Sequence, residues 1–220
     1  MRGTNVLGGG DVRILRASAL GGIVGPAMFT AVVLVAGGLR PGYSHLHQFI
    51  SELGATGTPG SAFMNQAGFL ATGILLLLFA VSTRSLIRAD PAAALGSVLF
   101  HFFAIGVFIA GLVRCDAGCP IAKGSLSNLL HGFASPVAFL CAVGSMGCFG
   151  WALRRRPEWV ALGRFSLGSA VLALVFMLLL SAALVTREWV GLWQRLLLAT
   201  VFAWCVVVAV RIRRPNVDSA

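Results

Sequence analysis

The sequence is short of charge, and of negative charge above all. Asp and Glu number 7 against 17 Lys and Arg, and charged residues make up 11% of the chain, where a soluble domain carries about 25%. With 58% hydrophobic residues and a mean hydropathy of +0.90, there is too little polar surface to cover a water-soluble globule. The class is an integral membrane protein, and one domain suffices. Lysine is almost missing as well: Lys123 is the single one. The arginines punctuate apolar runs and build no groove-like patch, so the net charge of +10 does not indicate a nucleic-acid partner; the expected partners are membrane lipids. There is no Walker motif, no dinucleotide fingerprint and no HExxH. There is no internal repeat either, which removes the usual sign of an inverted-repeat transporter.

What is present is a series of apolar runs at about 17–39, 63–83, 92–113, 131–153, 163–185 and 192–210, each near the roughly 20 residues that cross a bilayer. The first is too long for the core of a signal peptide, and no small-residue cleavage site follows it, so it is expected to be a retained helix. Gly21, Gly22, Gly25 and Pro26 are expected to kink it or to let a neighbour approach. The resulting fold is all-α, a bundle of six transmembrane helices over 13–214, with a disordered N-terminus over 1–12 and a tail over 215–220. Both ends of such a bundle lie on one side. Placing them in the cytoplasm puts 12 basic residues inside, including Arg84, Arg88 and Arg154 to Arg156, against 5 outside. The positive-inside rule therefore favours cytoplasmic termini and a multipass protein of the cell membrane.

Two polar stretches then face outward. YSHLHQFISELGATGTPGSAFMN, from Tyr43, lies between the first two spans, and RCDAGCPIAKGSLSNLLH, from Arg114, leads into the fourth. Polar residues so dense between membrane spans need water or partners. Glu52, Asp116 and Glu188 are the outward acids. Arg195 sits about a turn inside the sixth run, where an ionisable group is costly and usually paired; those three acids are its candidate partners. His131 opens the fourth run. His101 lies 13 residues before Arg114, about 20 Å down the same helix, and is expected to be a satisfied helix histidine apart from the rest. His45, His47, Glu52, Asp116 and His131 together offer nitrogen and oxygen ligands of the kind zinc takes. Ser51 is a nucleophile only if a histidine reaches it in space. Asn65, one turn into the second helix, is placed to hydrogen-bond the loop above it. Cys115 and Cys119 bracket Asp116 in a compartment where a disulfide persists; free thiols and metal ligands are the other options.

ISELGATGTPGSAFMNQAGFLATG, RCDAGCP, LSNLLHGFASPVAF and the late GLWQRL, in that order, resemble a family of multipass bacterial and archaeal membrane proteins, domain of unknown function 998 (DUF998). The resemblance runs from the first span to the sixth. It implies a six-helix bundle and marks Ser51, Glu52, Gly54, Asn65, Asp116, His131 and Arg195 as matching the family pattern. It implies no activity.

These readings lead to one expected site and three uses for it. Glu52, Asn65, Asp116, His131 and Arg195 are expected to form an outward polar cluster. It would bind or move a lipid head group or small amphiphile, with Arg195 and His131 on the anionic part. Alternatively, His131 and Asp116, with Ser51 and Glu52 as further candidates and with or without zinc, would hydrolyse a lipid-like bond at the outer leaflet. In the third use the cluster only braces the loops.

Overall fold

In the computed structural model, residues 9–83 and 90–214 are described. The expected positions of residues 1–8, of the Arg84 and Arg88 connection and of the tail 215–220 lie outside them. The chain forms α1 (Gly9–Ser18), α2 (Gly21–Gly38), a 3₁₀ turn (Ile50–Gly54), α3 (Ser61–Thr83), α4 (Pro91–Ala110), α5 (Leu126–Leu153), α6 (Val160–Ala183) and α7 (Val190–Arg213). No strand occurs among the described residues. α1 and α2 act as one span, so among the described residues six helices are long and apolar enough to cross a membrane. Helix begins at Gly9, so residues 9–12, expected in the disordered N-terminus, already belong to α1. The break in the first span falls at Ala19–Leu20, just ahead of Gly21. A Cβ on Gly21 would run into the Leu75 carbonyl of α3, so glycine lets the two helices approach closely beside this break.

Two helix starts show how sequence sets the boundaries. Asp90 caps α4, accepting from Ala92 N at 2.9 Å and Ala93 N at 3.3 Å, with Pro91 as the first helical residue; both choices suit a helix N-terminus. Ser125 caps α5, accepting from Asn128 N at 3.2 Å. α5 therefore starts at Leu126 rather than at 131. His131 lies more than a turn inside the helix instead of opening it. The polar run SLSNLLH hides this start, because its apolar residues are too few to read as a span.

From α2 on, each helix packs against the next in sequence, and α7 returns to α2, closing a ring. Trp204 of α7 occupies the middle with no exposed surface. Its ring centroid lies 6.3 Å from Phe79 of α3, 5.6 Å from Phe100 of α4 and 5.8 Å from Phe149 of α5. Its Nε1–H donates to Ser166 Oγ of α6 at 2.9 Å. One side chain thus touches four other helices, with the polar handle that a buried indole needs. At the arginine-rich end, Arg154 and Arg155 lie over the Trp151 ring at 3.6 and 4.8 Å, and Arg211 over Trp159 at 4.3 Å. α5 and α6 are in close contact there: a Cβ on Gly150 would press on Leu167 and the Gly163 carbonyl. The opposite end of the bundle carries the two polar stretches.

Candidate functional site: a groove beneath two braced loops

The stretch after α2 is held by a chain of hydrogen bonds running from α7. Arg195 gives one N–H to the Tyr43 hydroxyl at 2.6 Å, and others to the carbonyls of Gln48 at 3.0 Å and Gly191 at 2.9 Å. The Tyr43 hydroxyl in turn donates to the Phe49 carbonyl at 2.8 Å. Burial raises the Tyr43 phenol above its ordinary pKa, against the pull of Arg195, so it acts as a neutral donor. Arg195 is therefore not paired with Glu52, Asp116 or Glu188 as its position led us to expect; its partners are a phenol and backbone oxygens. Its Nε is buried with no partner among the described residues.

Glu52 turns back on its own 3₁₀ turn. Its Oε1 accepts from Phe49 N at 3.0 Å and its Oε2 from Gln48 Nε2 at 2.9 Å, and the residue is 5% exposed. This is the reciprocal bond of a capping box, closing an orphan backbone donor. Arg40 adds a bond to the Glu52 carbonyl at 2.6 Å. Asn65 lies in a π-helical segment, Met64–Leu70, and donates to the Gly54 carbonyl at 2.8 Å. A Cβ on Gly54 would meet the Asn65 side chain, so glycine here lets the amide come close. Gln194 of α7 completes the brace by accepting from Ile50 N at 2.7 Å.

The second stretch is braced from within. Asp116 accepts from Ser125 N at 2.6 Å and Ser125 Oγ at 2.7 Å, and these bonds pull its carboxyl below the usual range. Asn128 accepts from Asp116 N at 3.1 Å and donates to the carbonyls of Pro120 and Lys123, each at 2.7 Å. The Cys115 and Cys119 sulfurs form a disulfide with Cα atoms 5.1 Å apart. The two stretches meet: Thr56 N donates to the Cys115 carbonyl at 2.9 Å, and Ser51 Oγ lies 3.5 Å from Cys119 Sγ.

The five residues of the expected cluster do not share one space. Glu52 and Arg195 are linked through Gln48 in the first stretch, Asn65 holds Gly54, Asp116 holds the second stretch, and none of the four lines the two cavities described below. The expected zinc ligands are dispersed too. His45 packs edge-on to Tyr43 at 5.1 Å, and burial, then the Arg195 charge, lowers its pKa. The His47 ring lies tilted against Trp189 at 5.1 Å between centroids. No group of three or more His, Cys, Asp or Glu side chains converges among the described residues. His101, as expected, lies apart, bonded to the Ser97 carbonyl of its own helix at 2.7 Å.

His131 does face open space. It lines a cavity of about 410 Å³ between α5, α6 and the disulfide loop, within the 300–1,000 Å³ range of small-ligand pockets. A smaller space of about 60 Å³ continues inward among Phe29, Phe69, Phe103 and Phe202. Both spaces are lined by Ser51, His131, Ser135 and Gln194, a narrow polar belt in an apolar channel. His131 is 8% exposed, and its Nδ1 lies 2.7 Å from the Val113 carbonyl. A carbonyl can only accept, so Nδ1 carries the proton, and Nε2 of the neutral ring is an acceptor. Ser135 and Gln194 were missed because a lone Ser or Gln on an apolar helix looks ordinary. Pro136 inside α5 was the available signal: a helix proline deprives the carbonyl four residues earlier, that of Gly132, of its donor.

The model of the family described as "Protein of unknown function (DUF998)" matches residues 23–211, and the chain belongs to this family. Among curated proteins and among solved structures, none matches the chain.

Proposed function

We propose that this DUF998 protein is an amphiphile-binding protein of the cell membrane, and that its site is the groove between α5 and α6. The observation that carries this reading is the pairing of an apolar cavity of about 410 Å³ with a belt of neutral polar groups, one of them a nearly buried histidine with an open valence. Such a space suits a ligand with a hydrocarbon part and one polar end. The groove wall is built from spanning helices, and its rim is apolar: Phe133 is 74% exposed and Leu129 42%. The polar end would meet Ser51, His131, Ser135 and Gln194, and the hydrocarbon would lie along Phe133, Leu180 and Leu184. The excess of arginine at the other end of the bundle supports an outward-facing loop end and cytoplasmic termini.

Native mass spectrometry of the protein released from mild detergent tests the reading. The wild type is expected to retain a lipid-sized mass. Leu184→Trp, which fills the groove, is expected to lose it while remaining folded. No retained mass, or one indifferent to Leu184→Trp, contradicts the reading.

A further inference from the structure

Resting on the groove as the binding site, we infer that its ligand has an uncharged head bearing hydrogen-bond donors, of the kind carried by a long-chain alcohol or a monoacylglycerol, and reaches the belt sideways between α5 and α6. The first argument is charge. No Lys, Arg, Asp or Glu lines either cavity among the described residues. Two guanidinium groups at the loop end are engaged elsewhere: Arg195 with Tyr43 and the Gln48 and Gly191 carbonyls, and Arg187 with the Cys119 and Gly118 carbonyls at 2.9 and 3.2 Å. A carboxylate, phosphate or quaternary ammonium brought to the belt would be desolvated without a counter-charge, which is costly in apolar surroundings.

The second argument is the balance of donors and acceptors. His131 Nε2 is an acceptor. The Gly132 carbonyl has lost its helical donor to Pro136. Ser135 spends its proton on the His131 carbonyl at 2.8 Å, and Ser51 spends its own towards Cys119, whose disulfide sulfur has no proton to give. Both hydroxyls keep oxygen lone pairs. Against these acceptors, the belt's free donor is the Gln194 amide NH₂, its Oε1 being held by Ile50. An acceptor-only anion would face acceptors; a head carrying O–H groups completes them, and Gln194 can serve its oxygen.

The third argument is the route. α5 and α6 touch closely at Gly150 and Gly163, while a Cβ at Gly132 would meet nothing. The helices therefore leave a slot at the loop end, roofed by Pro120, Ile121 and Ala122. The disulfide and the hydrogen bonds of Asp116 and Asn128 fix that roof, so the open side is the one between the helices.

The test uses the full chain in phosphatidylcholine vesicles with three diazirine probes of equal chain length: a monoacylglycerol, a fatty acid and an alkyltrimethylammonium. The monoacylglycerol is expected to label the wild type about tenfold more than either charged probe, a ratio one or two well-made hydrogen bonds can supply. Phe133→Trp, a change at an exposed rim position, is expected to lower labelling by all probes while leaving the melting temperature in place. Equal or stronger labelling by a charged probe overturns the uncharged head but leaves the groove standing. Labelling by none of the three, or labelling that Phe133→Trp does not change, overturns the groove itself.

Discussion

The braced loops and the cavity wall differ in how their polar groups are used. In the loops, polar residues are dense and, the Arg195 Nε apart, mutually satisfied: Glu52 with Gln48 and Phe49, Asn65 with Gly54, Asp116 with Ser125. In the wall they are sparse and incompletely satisfied: His131 and Gln194 each use one end of the side chain on the backbone and leave the other over. The density of polar residues in a membrane protein thus marks where irregular backbone must be held, because each buried carbonyl and N–H needs a partner. A site is marked by valences left open. Ser51, Glu52, Gly54 and Asn65, among the residues that carry the family resemblance, are in this chain mostly parts of the brace.

That contrast can be broken by mutation. The largest expected effect is for Glu52→Ala, which strips two hydrogen bonds from a buried turn; about 3 kcal/mol of stability should be lost, read as a lower midpoint in thermal unfolding. Asn65→Ala leaves the Gly54 carbonyl without its donor and should cost about 1–3 kcal/mol. Asp116 gives a pH signature. Its carboxyl is pulled below the ordinary value by the Ser125 bonds, so its contribution is present above about pH 4 and is lost as pH falls through the lowered value. The wild type should therefore lose melting temperature in acid more steeply than Asp116→Asn. The smallest effect on stability is expected for Ser135→Ala, within about 0.5 kcal/mol, since the hydroxyl bonds only to a carbonyl of its own helix. It should nonetheless weaken monoacylglycerol labelling. If Ser135→Ala unfolds the protein while Glu52→Ala is silent in both stability and labelling, the division between brace and wall is wrong.

Much of the fold was legible. Apolar runs of bilayer length are an unambiguous signal, and all six appear as helices. The start of α5 was not legible, since its cap and first turn are written in loop residues. Nor was the central role of Trp204, because a tryptophan within an apolar run carries no mark of which helices it will meet. For the site, the sequence showed which residues are polar but not where they turn. Glu52 lies three residues after the N–H it caps, Arg195 pairs with a phenol 152 residues away, and Asp116 closes on a serine 9 residues ahead. Adjacent residues diverge: Arg195 enters the brace, while Gln194 beside it reaches the cavity. His131 was identified as a residue of interest, but its environment comes from α5, α6 and the disulfide loop together.

Peptide mapping of the photolabel left by the diazirine monoacylglycerol on the wild-type protein puts the groove against the polar loops directly. The expected result is label on α5 and α6 peptides carrying Phe133, Leu180 and Leu184. Label concentrated on the segment from Tyr43 to Asn65, with α5 and α6 unmarked, would contradict it and return the site to the loops.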